Sequence, residues 1–278
     1  MRGVLMVLML SAMTAAARDA VVFFAAHPDD TEGFAATAFL LKEKYDVRVV
    51  DFTCGERGCG EENYLNGWTK AKRMAEEKSA LALLDAEPFY VGEIDGEACA
   101  TPRAVSEMIR FLKELKPKAV FTHWPVDLHR DHRQCAIAAM QAVQSIDFKP
   151  ELYFFEVLME QTRNWNPLYS VDVTRTMGLK QALLRKYESQ NKDDELVRHK
   201  TRQAALRGSE RRPAVKYAET FTTLDGRRIE GGVLESLPET ASLRANADGS
   251  LTVTLPRDDL SVYTLVRIGP ADAITRRD

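Results

Sequence analysis

The stretch from Ala20 to Ala26, Ala-Val-Val-Phe-Phe-Ala-Ala, constrains this chain more than any other. It is an unbroken apolar, β-prone run with no polar face, so the strand it forms must be covered on both sides, as strands of a parallel sheet are. Polar residues follow abruptly. Glu32 to Tyr45 reads as a helix, and Val47 to Thr53 as a second buried strand ending in a glycine-rich loop, Gly55 to Gly60. Trp68 to Leu84 has a helical pattern, and a short strand is expected around Phe89 to Gly92. Thr101 and Pro102 supply an N-cap and a first-turn proline, after which Val105, Met108, Ile109, Leu112 and Leu115 repeat at helical spacing up to Pro117. Ala119 to Thr122 reads as a strand, Asp131 to Ser145 as a helix and Leu152 to Val157 as a strand. Such alternation predicts an α/β fold, a mostly parallel sheet with helices on both faces. Its functional groups should gather beyond the carboxyl ends of the strands.

The two ends of the chain differ from this body. Arg2, the apolar run Val4 to Leu10 and the small residues Ala15 to Ala17 have the layout of a secretory signal peptide cut after Ala17. The run is too short for the ~20 residues of a membrane span, so the expected product is exported, periplasmic or extracellular, with no span after processing. Ser242 to Asn246, Leu251 to Leu255 and Ser261 to Ile268 read as strands, with an Asp248-Gly249 hairpin signal between the first two. The expected organisation is a signal peptide over 1–17, a main domain over 18–223 and a small β-rich extension over 224–278. With 278 residues, 45% of them hydrophobic, one full core and a modest appendage are within reach. Net charge is −3 with acids and bases interleaved, which excludes a nucleic-acid footprint. Of the four cysteines, Cys54 and Cys59 flank the glycine loop and are the pair placed to form a disulfide; two free thiols are the equal alternative.

Chemistry concentrates in two polar clusters, each directly after a predicted strand. One is His27-Pro28-Asp29-Asp30-Thr31-Glu32-Gly33; the other runs from His123 to His132. Four of the five histidines lie in these two segments. Two imidazoles and one carboxylate with an open position make a common catalytic zinc site, and His27, Asp30 and His132 can supply that set, with Fe²⁺ as the alternative metal. Asp29 is then placed to act as general base on a water near the metal. His129, three residues before His132, is a candidate to stabilise an oxyanion, with Asp131 or Asp127 holding its ring. His123 and His199 read as ordinary polar residues.

These residues resemble the LmbE-like, or PIG-L, family of zinc-dependent N-acetylglucosaminyl deacetylases. Its first motif appears as Ala26 to Asp30 with Glu32 and Gly33, and its His-x-Asp-His as His129 to His132. Thr53 to Gly58 resembles its Thr-x-Gly-Glu-x-Gly loop, Arg73-x-x-Glu76 its Arg-x-x-Glu helix, and Ser189-Gln190 and Tyr217 to Phe221 its later elements. The resemblance implies a Rossmann-like fold, zinc on His27, Asp30 and His132, Asp29 as base, His129 beside the oxyanion, and an amino-sugar substrate of N-acetylglucosamine type, free or in a glycoconjugate. The chain departs from the family at Ala35-Ala36-Thr37, at Asp85 and at Tyr187. Arg57, Asp127 and Tyr187 are the candidate substrate contacts. Removal of an N-acetyl group is the leading expectation. Cleavage of a larger acyl group from a glucosamine nitrogen, and a sugar-binding protein without turnover, are the alternatives.

Overall fold

The computed structural model describes residues 18–237 and, beyond them, 242–245, 251–254, 265–268 and 274–275. Five strands run parallel: β1 (Ala20–Ala25), β2 (Asp46–Thr53), β3 (Pro88–Glu93), β4 (Ala119–His123) and β5 (Glu151–Phe155), in the order β3-β2-β1-β4-β5. Two more, β6 (Tyr169–Asp172) and β7 (Ala218–Thr222), extend the sheet beyond β5, with β7 antiparallel to β5 and β6 antiparallel to β7 at the edge.

The continuous apolar run of β1 is explained by its central place. Val21, Phe23 and Ala25 point into one core and Val22, Phe24 and Ala26 into the other, because side chains alternate across a strand. Helices α1 (Ala35–Leu41), α3 (Trp68–Leu81) and α6 (Met177–Leu184) close the first core; α4 (Pro102–Leu115) and α5 (Arg130–Gln144) close the second. Phe23 stacks between Phe34 and Phe121 at ring distances of 4.1 and 4.4 Å. Truncating such a buried ring costs about 3–5 kcal/mol.

The expected cap of α4 is present: the Thr101 hydroxyl accepts the Ala104 N–H at 3.1 Å. Other boundaries shift. The helix expected over 32–45 is a 3-10 turn, Asp30–Gly33, followed by the shorter α1, because Phe34 leaves helical geometry with φ −143°. The helix expected to reach Leu84 ends at Leu81 and tightens into a 3-10 turn closed by Asp85 in the left-handed region, φ 56°. Asp tolerates that conformation better than most residues. A short α2 (Glu61–Leu65) follows the glycine loop. The segment between β5 and β7 holds α6 and α7 (Glu195–Glu210), neither of which the apolar periodicity singles out. In α7 the buried positions are Val197, Lys200, Ala204 and Gly208; with a lysine and a glycine on its inner face, its apolar stripe is broken.

The expected signal segment lies outside the described residues. The C-terminal strands β8 (Ser242–Ala245), β9 (Leu251–Thr254), β10 (Leu265–Ile268) and β11 (Ile274–Thr275) form their own antiparallel sheet, in the order β11-β10-β9-β8. Among the described residues no helix is long and apolar enough to cross a membrane. All four cysteines are free, so Cys54 and Cys59 form no disulfide in this structure.

Candidate metal centre

In the order β3-β2-β1-β4-β5 the chain winds one way from β1 and the other way from β4, so a crevice opens past the carboxyl ends of these two neighbours. Both polar clusters empty into it. His27 lies just beyond β1, His123 ends β4, and His129 caps the N-terminus of α5. The ring centroids of His27 and His132 are 5.4 Å apart, those of His27 and His129 4.7 Å, and those of His129 and His132 4.5 Å.

Asp30 sits at the middle. Its Oδ2 accepts the backbone N–H groups of Ala26 (3.0 Å) and His27 (2.8 Å) and lies 3.2 Å from His27 Nδ1. Its Oδ1 lies 3.3 Å from His132 Nε2. The other nitrogen of His132 is 3.2 Å from Asp127 Oδ1, at an angle too oblique for a full hydrogen bond. His123 Nε2 lies 2.9 Å from the same Ala26 N–H and 3.3 Å from Asp30 Oδ2. Nitrogens of His27, His129 and His132 come within 4.8 Å of one another, as do donor atoms of Asp30, His123 and His132. Imidazole nitrogens and a carboxylate converging in a buried pocket, with bonds of about 2 Å in reach, fit a divalent cation.

Charge is apportioned by the same contacts. Burial opposes a proton on His132, but Asp30 and Asp127 outweigh it and lift the ring to about 9. Burial likewise opposes charge on His27, while Asp131 and Asp30 hold it well above the usual range. Burial would raise Asp30, yet His132 and His123 keep it well below an ordinary carboxylate. His123, buried and beside His132, falls to about 4, and His129 is lowered by burial and by its imidazole neighbours. Asp29 is raised, chiefly by burial, against the pull of Arg73. Protons and a divalent cation compete for the same nitrogens.

A cavity of about 390 Å³ opens over the cluster, lined among others by Asp29, His129, Arg57, Asp95, Gln161 and Gln190. That is within the usual range for a small-molecule site. Asp29 and His129 both line it. Arg57 forms part of its wall, with its guanidinium tied to Glu97 at 2.6 Å and lying over the Tyr64 ring. Three expectations need correction. Tyr187 does not line the cavity: it is 1% exposed, and its hydroxyl bonds Glu77 at 2.6 Å and Thr31 at 2.7 Å. Asp127 is buried and serves the site from behind, accepting the His129 N–H (2.8 Å) and the Thr162 hydroxyl (2.9 Å). The Asp131 carboxylate turns away from His129; it accepts the Gly96 N–H at 2.6 Å and lies 3.4 Å from His27 Nε2. His129 is held instead by the Asp131 backbone, whose N–H donates to its Nδ1 at 3.3 Å.

The fold brings in three residues that the sequence patterns alone do not place at the site. His123, the last residue of β4, stacks on His132 at 4.2 Å; a strand-end position puts it near the site without showing which way its ring faces. Asp95 Oδ1 lies 3.3 Å from His27 Nε2, again just past a strand. Arg73, visible only as part of a motif, forms a close ion pair with Asp29 Oδ1.

Fold and site together define a doubly wound α/β protein with an imidazole–carboxylate centre at its switch point. Residues 22–143, which hold every proposed metal ligand, match the PIG-L family, described as GlcNAc-PI de-N-acetylase. That match is to a PIG-L family domain spanning residues 22–143. Among solved structures, a conserved protein from Thermus thermophilus is 23% identical, with a TM-score of 0.66 over 77% of this chain and 98% of that one. The N,N'-diacetylchitobiose deacetylase of Pyrococcus horikoshii is 24% identical, with a TM-score of 0.64 over 75% and 84%. The 4-carboxy-2-hydroxymuconate hydratase of Pseudomonas putida is 22% identical, with a TM-score of 0.66 over 77% and 99%. At these identities the likeness establishes the shared fold.

Proposed function

We propose that the protein is a metal-dependent hydrolase that removes the N-acetyl group from an N-acetylglucosamine-type sugar or glycoconjugate, met outside the cytoplasm if residues 1–17 act as the leader. One observation carries the reading: the family match falls on the segment whose His27, Asp29, Asp30, His129 and His132 converge on one polar cavity. The fold alone does not choose the bond, since a hydratase shares it.

His27, Asp30 and His132 would hold the cation, zinc or iron, which when bound supplies Lewis acidity to water and to the acetyl carbonyl. Asp29 takes the proton from the attacking water. Burial keeps its carboxyl more basic than usual, which favours both that uptake and the later return of the proton to the departing amine. His129 accepts a hydrogen bond at Nδ1 from the Asp131 backbone N–H, so the neutral ring carries its own hydrogen on Nε2. Its lowered affinity for a second proton keeps it neutral near pH 7, and Nε2–H donates to the oxygen on which negative charge develops. Asp127 and Asp131 fix His132 and His27 in their orientations. Arg57, Asp95, Gln161 and Gln190 offer the cavity polar groups suited to sugar hydroxyls.

The test is acetate release from N-acetylglucosamine, chito-oligomers, glycolipids and peptidoglycan fragments, with longer-chain N-acyl glucosamines alongside, in added Zn²⁺ and in chelator. Metal-dependent acetate release is expected. Turnover only of longer acyl groups would reassign the substrate, and sugar binding without any product would remove the enzymatic reading.

A further inference from the structure

We propose that Leu158, with Val157 behind it, forms the acyl subsite of the cavity, taking the methyl of the N-acetyl group and selecting against longer chains. The inference deepens the functional reading above and rests on it. Both residues lie just after β5, outside the segment that matches the family. Among the described residues they are the only apolar side chains lining the cavity; every other lining residue is ionisable or an amide, apart from Gly58. An acetyl group carries its oxygen and its methyl on one carbon. The oxygen needs a donor or a cation, whereas the methyl gains by leaving water for apolar surface. One patch offers that surface, and a chain longer than acetyl would run past it onto charged groups.

The patch belongs to the same unit as the group assigned to the carbonyl oxygen. The Leu158 carbonyl accepts the N–H groups of Gln161 (3.0 Å) and Thr162 (2.8 Å), and the Gln161 carbonyl accepts the Leu128 N–H (3.0 Å). The Thr162 hydroxyl donates to Asp127 Oδ2 (2.9 Å), whose other oxygen accepts the His129 N–H (2.8 Å). The turn that starts at Leu158 is thereby fastened to the loop that carries His129, as the methyl is fastened to the carbonyl in the acyl group itself. The wall is also held from behind. Lys200 of α7, 1% exposed, donates to the Val157 carbonyl and to Gln203 Oε1 (3.2 Å), and lies 3.3 Å from Oε1 of Glu32, another lining residue. Leu158 is half-buried against the core under α1, α3 and α6. A side chain pinned on both sides holds its place against a longer acyl chain, and its removal opens apolar space behind it.

The test compares the parent, Leu158→Ala and Leu158→Phe, each with saturating Zn²⁺ and measured metal content, on N-acetylglucosamine and N-butyrylglucosamine. The parent is expected to prefer the acetyl substrate. In Leu158→Ala the butyryl-to-acetyl ratio of kcat/KM should rise by about 10-fold or more, the scale for added methylenes in an apolar pocket. In Leu158→Phe, kcat/KM for the acetyl substrate should fall by about 10-fold or more while the Ki of glucosamine, which has no acyl group, stays within about twofold. A general structural defect would lower both substrates alike, so an unmoved ratio in Leu158→Ala would overturn the proposal. So would a glucosamine Ki that moves in step with acetyl turnover, since Leu158 would then touch the sugar. Crystals of Asp29→Asn with N-acetylglucosamine give a readout without turnover: the acetyl methyl is expected within about 4.5 Å of a Leu158 side-chain carbon, and a methyl lodged elsewhere would refute the subsite. Any of these contrary results, with acetate still released by the parent, leaves the functional reading standing. A parent that releases neither acid ends that reading, and the subsite with it.

Discussion

Asp29 and Asp30 are adjacent in sequence and opposite in circumstance. Asp30 is surrounded by imidazoles and backbone N–H groups and stays ionised, as its proposed role as a ligand requires. Asp29 is raised by burial, as suits a group that takes up and returns a proton. Asp29→Asn is accordingly expected to cut kcat by about 10²-fold or more while bound metal is retained; measured turnover equal to that of the parent would take Asp29 out of the mechanism. His132→Ala removes a nitrogen facing Asp30 Oδ1 at 3.3 Å and is expected to lose the metal, with elemental analysis as the check. The proposed roles can be read from the residues themselves, because ligand chemistry depends on donor type and on the turn after a strand. That of His123 cannot, since a single histidine at a strand end looks the same whether it faces solvent or, as here, the ring of His132.

At the scale of elements, α3 does more than cover the sheet. Arg73 reaches Asp29, Glu76 takes the Ser189 N–H (2.9 Å) and hydroxyl (2.6 Å), and Glu77 takes the Tyr187 hydroxyl (2.6 Å). One helix thus holds both Asp29, the proposed base, and the wall that carries Gln190. The motif Arg73-x-x-Glu76 was visible in the sequence, but its partners lie far away in the chain and only the fold identifies them. Glu77 is fully buried, with Oε1 unpaired, and burial pushes its carboxyl up to about 8. A folded-state value above the unfolded one means the native protein binds the extra proton. Stability is then fully present below about pH 4.5 and is lost as pH rises toward 8. Glu77→Gln keeps an acceptor for Tyr187 without that penalty. Its melting midpoint should exceed the parent's by roughly 3–6 °C at pH 8, with the gap closing toward pH 4.5. Equal midpoints at pH 8 would show that Glu77 is not held neutral.

For the whole molecule, the metal would join the turn after β1 to the start of α5, two segments at the switch point of the sheet. An ion that binds the folded state alone adds about 2.7 kcal/mol when free metal is a hundredfold above Kd. Chelation is therefore expected to lower the melting midpoint by roughly 5–10 °C for a domain of this size, reversed on adding Zn²⁺. A midpoint indifferent to chelator in thermal scans would argue against an ion spanning the two segments. The doubly wound class was itself readable from alternating strand and helix patterns. The antiparallel β6–β7 edge and α7 were not, since the inner face of α7 carries Lys200, which reaches Glu32 at 3.3 Å, and a lysine reads as exposed until its partner is known.

The sequence by itself determined the alternation of elements, the strand buried on both faces and the set of donor groups placed just after strands, because these follow from local periodicity and residue chemistry. Only the tertiary structure decided which groups meet. It turned the Asp131 carboxylate to His27, withdrew Tyr187 and Asp127 from the cavity wall, brought in His123 and Asp95, and set Arg73 on Asp29. The physical reason is that hydrogen bonds and ion pairs act over about 3 Å, and which side chains come that close is fixed by how distant segments pack.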